Sequence, residues 1–220
     1  MRALRFFGKL LISIGFGVLL FVGWTLKGTD LYTNRAQERL SQEYEGLPSL
    51  AAVAVEEDGR EYLGPPKSFA PGPGEGIFRI LIPRIDINKM VVEGVGTEEL
   101  REGPGHYPEC RAGFEPPLCT EWPEVWPGER GRVIVSGHRT TYGAPFWGLD
   151  KLESGDEILI ESKWGDFTYL VSKIDIVPAN SLAIAVESDE AELVLTTCNP
   201  KFSAAERLVV FATLKEVTEA

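Results

Sequence analysis

The chain has 220 residues, enough for one ordinary domain with extra segments or for two small domains, and too few for a large multidomain protein. Apolar residues make up 44% and charged residues 25%, so the chain can bury a core and is not disordered as a whole. The net charge is -11, and the four basic residues within 1–27 all precede the first acid, so the remainder carries 18 Lys and Arg against 33 Asp and Glu. Such an acidic surface repels phosphate backbones, which makes nucleic acid a poor partner.

The N-terminal segment has the pattern of a membrane anchor. An almost uninterrupted apolar run covers residues 10–26 and ends near Trp24, an indole that favours the headgroup region. Three basic residues precede the run, namely Arg2, Arg5 and Lys9. By the positive-inside rule the N-terminus is cytoplasmic and the bulk of the chain is extracellular. A cleaved signal peptide is the alternative, but Gly23-Trp24-Thr25 is a poor cleavage site, so residues 1–27 are predicted to be a cytoplasmic tip and an uncleaved single-pass anchor.

Two segments connect the anchor to the rest of the chain. Residues 30–45 are charged and rich in helix formers, which predicts a stalk helix with little core of its own. Residues 64–76 contain four Pro and four Gly in thirteen positions, which indicates a linker. The predicted organisation is therefore a stalk and linker over 28–76 and a folded domain over 77–217.

The folded domain has the pattern of a mainly β protein. Short β-type runs separated by turn signals cover residues 77–82, 88–95, 132–137, 156–162, 166–177, 191–198 and 207–214. Seven or eight such strands in this length predict a small, largely antiparallel barrel or sandwich. Two segments interrupt the strands. Residues 145–152 have the pattern of a short helix packed by Phe146, Trp147, Leu149 and Leu152, and residues 103–131 form a long Pro, Gly and Trp-rich insertion, typical of a functional or cross-linked loop.

The chain has only three Cys and two His, so few nucleophile and base pairs are available. Cys198 ends a strand in which it shares one face with Val194 and Thr196, and a turn follows at Asn199-Pro200. A thiol at the end of a strand is exposed enough to meet a substrate. The alternative is a buried structural thiol, as is common for a single cysteine.

His138 and Arg207 are the candidate partners of this thiol. His138 follows another strand and precedes a polar turn, although a single His is more often a surface or structural residue. Arg207 opens the last strand nine residues after Cys198, so its guanidinium reaches the thiol if those two strands are neighbours. The three side chains would then supply a nucleophile, an acid and base, and an oxyanion donor.

At this point the sequence resembles a known family. The anchor, the run SGHRTTYGAPFWGLDKL and the run LVLTTCNPKFSAAERLVV resemble the sortases, the cysteine transpeptidases of Gram-positive surfaces, and most closely class E of the actinobacteria. The resemblance covers about residues 77–215 and the anchor. One departure is Val194, where the family often has Thr.

The resemblance implies an eight-stranded sortase barrel with short helices, preceded by a transmembrane helix, and a cysteine transpeptidase. Cys198 is then the nucleophile, His138 the acid and base, and Arg207 the oxyanion or carbonyl donor. The implied reaction is attack on the Thr-Gly bond of a Leu-Pro-x-Thr-Gly (LPXTG) or Leu-Ala-x-Thr-Gly (LAXTG) sorting signal of a secreted surface protein, through a thioester that a peptidoglycan-precursor amine resolves. No cofactor and no metal are expected.

The resemblance also implies substrate-binding residues. A Tyr in the Gly-Pro-Gly-His-Tyr-Pro stretch accompanies a preference for Leu-Ala-x-Thr-Gly in class E, which makes Tyr107 the candidate for the second substrate position. The alternative is an aromatic side chain that only packs its loop. Thr197 and Tyr142 are further candidate substrate contacts.

The insertion holds Cys110 and Cys119, which an extracellular setting allows to form a disulfide. A metal site using His106 with these two cysteines would lack a fourth ligand and a matching spacing. Two other functions compete with a sortase. An L,D-transpeptidase would have His and Gly just before the Cys, where this chain has Thr-Thr, and the second rival is a catalytically silent adhesion domain.

Overall fold

The computed structural model describes residues 2–57, 59–181, 184, 186 and 188–218. A continuous helix forms the N-terminal part, as α1 (Arg2–Gly23), a π-helical turn (Trp24–Gly28) and α2 (Thr29–Glu45). The apolar side chains of α1 from Phe6 onward lie exposed, with Leu11, Ile12 and Leu19 each near 70% accessible. By length and composition this helix is able to cross a membrane.

Helix α2 packs against the folded domain rather than standing free of it. Its buried residues are spaced three or four apart and form one face: Thr33, Ala36, Gln37, Leu40 and Tyr44. Leu40 and Tyr44 form a small core with Met90 and Val92. The Gln37 amide also donates to the Met90 carbonyl at 3.0 Å and accepts from the Met90 N–H at 2.8 Å. The predicted stalk helix therefore has a core, which it shares with the domain it precedes.

Ten strands follow. Their bounds are β1 (Val53–Glu57), β2 (Arg60–Gly64), β3 (Gly76–Ile82), β4 (Ile87–Glu93), β5 (Gly105–His106), β6 (Gly131–Ser136), β7 (Glu157–Ser162), β8 (Asp166–Pro178), β9 (Ala191–Asn199) and β10 (Glu206–Thr218). Strands β1 and β2 form a separate hairpin, and the other eight close a barrel in the order β10-β8-β7-β3-β4-β5-β6-β9. The β4–β5 and β6–β9 pairs are parallel, and the remaining pairs are antiparallel. The predicted eight-stranded, mainly β barrel is confirmed.

Alternating side chains fill the barrel because successive residues of a strand point to opposite faces. In β7, for example, Ile158 and Ile160 are fully buried whereas Glu157 and Glu161 are exposed. All seven predicted β-type runs are strands. The sequence did not predict the β1–β2 hairpin, the two-residue β5 or the short helix α3 (Thr97–Glu102).

The predicted helix at 145–152 is a 3₁₀ turn over Leu149–Lys151. Phe146, Leu149 and Leu152 are buried as expected, but Trp147 is 41% exposed and lies against the ring of Phe202. The prediction for Trp147 was wrong because a three-residue repeat puts positions 146, 149 and 152 on one side and position 147 on the other.

The long insertion between β5 and β6 is closed on itself and fixed to the barrel. A disulfide joins Cys110 to Cys119, whose Cα atoms lie 5.0 Å apart. Next to it the Cys110 N–H donates to the Thr120 carbonyl at 2.9 Å, and the Thr120 N–H donates to the Pro108 carbonyl at 2.9 Å. The insertion therefore has its own hydrogen-bonded frame despite its many Pro and Gly residues.

Four charged or titratable side chains attach this insertion to the end of β4. The fully buried carboxylate of Glu93 accepts from His106 Nδ1 at 2.9 Å and from Arg111 Nη2 at 3.0 Å. Arg111 also donates to Glu124 at 2.7 Å, and the Trp126 ring lies 4.7 Å from the His106 ring. Because a fully buried carboxylate is costly without partners, Glu93 requires the side chains of the insertion that bond to it, and the network fixes both ends of the insertion to β4.

Proton binding in this network is linked to stability. Burial, followed by the hydrogen bond to Glu93 and its charge, raises the pKa of Glu124 to about 7. Burial alone would lower the pKa of His106, but the negative charge of Glu93 and its hydrogen bond raise it overall. Both groups hold a proton more tightly in the folded chain than in the unfolded chain. Their protonated forms therefore stabilise the fold at low pH, and this contribution to the free energy of unfolding is lost as pH rises through their folded pKa values.

We predict that Cys110 and Cys119 are oxidised in the purified protein while Cys198 is a free thiol. Intact mass after alkylation of the denatured protein should show one labelled cysteine without reductant and three labelled cysteines after reduction. In the chain-entropy model, closing this loop stabilises the fold by roughly 2–3 kcal/mol. Three labels without reductant would contradict the disulfide.

We predict that the Glu124 carboxyl makes the fold less stable at pH 8 than at pH 5. In Glu124→Gln, which keeps a neutral hydrogen-bonding group at this position, the difference in melting temperature between the two pH values should become smaller. Glu115→Gln is the matched control, since Glu115 is an exposed residue of the same insertion. An identical pH dependence in wild type and Glu124→Gln would show that Glu124 does not titrate in this range.

Candidate active site

The pairing of β9 with its two neighbours brings the three predicted catalytic residues to one end of the barrel. In the parallel β6–β9 pair Ser136 is the partner of Thr196, and the Gly137 N–H extends the ladder by donating to the Thr196 carbonyl at 3.1 Å. The chain leaves β6 at His138 beside the end of β9. In the antiparallel β9–β10 pair Arg207 is the direct partner of Cys198. The predicted neighbourhood of these two strands is confirmed.

Strand β9 presents Cys198 on the outer face of the barrel. Leu193 and Leu195 belong to the barrel core, whereas Val194 packs in a separate outer cluster with Ile134 and Val209. Cys198 follows Val194 on the same face by the period of two. It is half-buried and carries a free thiol. The division of the two faces that the sequence predicts is thus observed.

His138 is held at its backbone and stacked at its ring. Its carbonyl accepts from the Phe146 N–H at 3.1 Å, and its ring centroid lies 5.1 Å from that of Tyr142. Burial, and then the positive charge of Arg101, lower the pKa of His138. The imidazole is therefore neutral at pH 7 and able to accept a proton.

The turn after His138 has an unusual backbone. Tyr142, Gly143 and Ala144 have φ values of 52°, 71° and 41° in succession. Tyr142 also lies below the guanidinium of Arg101, which is 5.7 Å from the ring centroid. Tyr142, a predicted substrate contact, is here packed between His138 and Arg101. Its contact with a substrate stays a prediction.

Arg207 lies beside Cys198 on the neighbouring strand and is partly exposed. Its guanidinium donates to the carbonyls of Ala204 and Glu206 at 3.2 and 3.1 Å. Burial raises the pKa of the Tyr107 hydroxyl, and the positive charge of Arg207 opposes that rise. The Arg207 guanidinium therefore lies beside Cys198 and is close enough to Tyr107 to affect the pKa of its hydroxyl.

Tyr107 lines a groove on the outer face of the barrel. Its N–H donates to the Ile134 carbonyl at 2.9 Å, its hydroxyl donates to the Pro117 carbonyl at 3.0 Å, and its ring packs against the cluster that contains Val194. The walls of this groove include Trp122, Val125, Arg132, Ile134 and Val186, and none of Cys198, His138 or Arg207 lines it. Val194 and Cys198 are four residue steps apart, or about 13 Å along a strand.

The two threonines before Cys198 have different positions. Thr197 is buried on the side opposite to the thiol, and its hydroxyl donates to the Gly137 carbonyl at 2.7 Å. This bond ties β9 to the segment that carries His138, and the predicted contact of Thr197 with substrate stays a prediction. The hydroxyl of Thr196 lies between Val194 and Cys198 on the outer face, is buried, and has no hydrogen-bond partner among the described residues. Sequence reasoning missed Thr196.

Sequence reasoning also missed Arg139. This side chain is only 4% exposed and donates to the Cys198 carbonyl at 3.2 Å and to Asn199 Oδ1 at 2.6 Å. Its Nη2 pairs with the Asp150 carboxylate at 3.2 Å. Arg139 thus joins the end of β6 to the end of β9. The available signal was its position next to His138 in a strand-end motif.

The cysteines of the alternative metal site are joined to each other, so they are not ligands. Among the described residues, Glu93, His106 and Glu124 bring three potential ligand atoms within 4.8 Å of one another. Arg111 already bonds both carboxylates of that group, so a guanidinium supplies the positive charge there.

Comparison with known proteins identifies relatives of this chain. The family model for the sortase domain matches residues 80–215. Sortase SrtE1 of Streptomyces coelicolor is 30% identical, and the alignment covers 97% of this chain and 58% of that relative. The crystal structure of sortase E1 from Streptomyces coelicolor, with a tripeptide in its active site, has a TM-score of 0.57 at 26% identity and covers 68% of this chain and 94% of that one. Sortase E from Streptomyces avermitilis has a TM-score of 0.52 at 31% identity, with coverage of 68% and 93%.

Proposed function

The chain belongs to the sortase family, and we propose that it is a cysteine transpeptidase that cleaves the Thr-Gly bond of an LPXTG or LAXTG sorting signal. It spans 58% of the length of the Streptomyces coelicolor relative. The observation that carries the proposal is the arrangement of His138, Cys198 and Arg207 at the adjoining ends of β6, β9 and β10. The family assignment removes the L,D-transpeptidase alternative.

The outer face of β6 and β9 fits an extended peptide. With the Thr carbonyl at the Cys198 sulfur, the four residues from Leu to Thr extend about 13 Å and end over the cluster of Tyr107, Ile134 and Val194. The apolar cluster then accepts the Leu side chain and the residue after it.

Each catalytic side chain has a defined task in this reaction. The Cys198 sulfur attacks the Thr carbonyl carbon, and its proton passes to neutral His138. Arg207 donates to the carbonyl oxygen as negative charge develops there. His138 then protonates the departing Gly amine, which leaves a thioester. An incoming amine of a peptidoglycan precursor attacks the thioester and loses a proton to His138, and His138 passes that proton to the departing Cys198 sulfur, which restores the thiol.

The N-terminal helix supports a place at the membrane. Its exposed apolar surface and the basic residues that precede the apolar run favour a single-pass anchor with the N-terminus in the cytoplasm and the catalytic domain outside. In that setting the partners are the membrane, the sorting-signal peptide of secreted surface proteins and the wall-precursor amine.

We predict that the three catalytic residues are required for peptide cleavage. Cys198→Ala should abolish cleavage and transfer, and His138→Ala should reduce kcat/KM by about 10²–10⁴-fold. Arg207→Lys should also fail badly, because an ammonium lacks the planar fork of donors. The assay is cleavage of fluorogenic LPXTG and LAXTG peptides, with Arg84→Lys, an exposed residue, as the control. Cleavage retained in Cys198→Ala would refute the sortase mechanism, whereas an inactive wild type would favour a silent adhesion domain.

We predict that Tyr107 sets the preference at the second position of the signal, because its ring occupies space that a proline ring needs. Tyr107→Ala should reduce the ratio of kcat/KM values between LAXTG and LPXTG peptides by about 10-fold, in the range expected for a change of pocket shape. Tyr107→Phe keeps the ring and should keep the ratio. The same ratio in Tyr107→Ala would remove Tyr107 from the substrate site.

A further inference from the structure

The beginning of α2 contacts the turn that follows His138. Thr29 Oγ1 accepts from the Tyr142 N–H at 3.1 Å, and Asp30 Oδ1 accepts from the Gly143 N–H at 3.0 Å. These residues come directly after the π-helical turn that ends the apolar helix. The segment next to the membrane anchor is thus hydrogen-bonded to the active-site turn, more than a hundred residues away in sequence.

This turn needs partners from outside itself. Tyr142, Gly143 and Ala144 all lie in the left-handed region of backbone space, which disfavours residues other than glycine. Successive residues of this kind persist only where the surroundings fix them. At Gly143 a Cβ would lie 3.3 Å from Thr33 Cγ2, so α2 also approaches the turn closely by packing.

The same turn also contacts the His138 imidazole. The Tyr142 ring lies 5.1 Å from the His138 ring, and Arg101 of α3 faces the Tyr142 ring at 5.7 Å. Helix α3 is itself held by α2, since Thr33 Oγ1 donates to the Arg101 carbonyl at 2.8 Å. Two of the groups that surround His138 are therefore attached to the same helix.

We propose that Thr29 and Asp30 are positioning residues for catalysis, because they fix the turn at Tyr142 and Gly143 and thereby hold the His138 imidazole in place. The proposal rests on the proposed function, since the imidazole position matters only if His138 transfers protons. The charged and titratable groups that act on the imidazole are Arg101 on α3 and Tyr142 on the turn, and Cys198 and Arg207 lie at the adjoining strand ends. A small displacement of a catalytic group lowers the rate without lowering substrate affinity.

The test compares acceptor-removing and acceptor-keeping variants in the full chain, in detergent or nanodiscs. Thr29→Val and Asp30→Leu remove the acceptors, whereas Thr29→Ser and Asp30→Asn keep an oxygen at the same place. The matched control is Thr25→Val, because the Thr25 hydroxyl bonds only within the helix, to the Phe21 carbonyl. Gly143→Ala perturbs the same contact from the side of the turn.

We expect the acceptor-removing variants to lower kcat by about 10-fold, less than complete loss of general acid–base help would cost, with KM changed less than 2-fold. The pH dependence of kcat should shift with them, because the surroundings of His138 change. Thr29→Ser and Asp30→Asn should restore both quantities. Hydrogen exchange measured by mass spectrometry should show faster exchange of the Tyr142 and Gly143 amides in Thr29→Val and Asp30→Leu only.

Faster exchange with unchanged kcat and unchanged pH dependence would overturn the positioning role. Equal exchange in the wild type and in both acceptor-removing variants would overturn the contact itself. A general loss of folding would lower the melting temperature and raise KM as well, and Gly143→Ala then decides through its own kcat and exchange. A wild type that cleaves neither sorting peptide would refute the proposed function, and exchange of the two amides would still decide whether α2 fixes the turn.

Discussion

The site depends on the register of β6 against β9. The parallel pairing of Ser136 with Thr196 is continued past the end of β6 by two hydrogen bonds at Gly137, to the Thr196 carbonyl and from the Thr197 hydroxyl. In a strand a shift by one residue turns every side chain to the opposite face, so a slip in this pairing would move the thiol into the core side and separate it from the imidazole. The buried guanidinium of Arg139 adds a third connection between the same two strand ends.

Although the chain is acidic, three arginines lie near the adjoining ends of β6 and β9, and each has a different role. Arg139 is buried and structural, because its Nη1 donates to main-chain and side-chain oxygens at the end of β9 and its Nη2 pairs with Asp150. Arg101 lowers the proton affinity of His138 from the side of α3. Arg207 remains partly exposed beside Cys198 and bonds to carbonyls of its own loop. The three tasks differ because the exposure and the bonding partners of the guanidinium differ, and residue type alone does not distinguish them.

The sequence predicts the barrel strands well because alternation of apolar and polar residues records burial on one face. It fails for β5, since two residues are too few to show any alternation. Docking of α2 was not predictable from periodicity because its buried face includes the polar Thr33 and Gln37, whose hydrogen bonds to Arg101 of α3 and to Met90 of β4 are visible only with those partners present. Cys198 and His138 can be proposed as catalytic residues from their strand-end positions. That they lie at the same end of the barrel depends on the long-range parallel pairing of β6 with β9, which only the family resemblance implied. Arg139 and Thr196 were missed because burial of a polar atom leaves no mark in sequence.

With α1 as the proposed membrane anchor, the continuous helix from α1 into α2 would also set the height of the site above a bilayer. With Trp24 at the headgroup level, five residues at about 1.5 Å each place Thr29 only about 8 Å farther along the helix axis. Thr29 is bonded to the turn beside His138, so the reaction centre would stand close to the lipid surface instead of at the end of a flexible tether. Substrates held in the same leaflet would then meet it by lateral diffusion, at an effective concentration set by the membrane area and not by the surrounding volume.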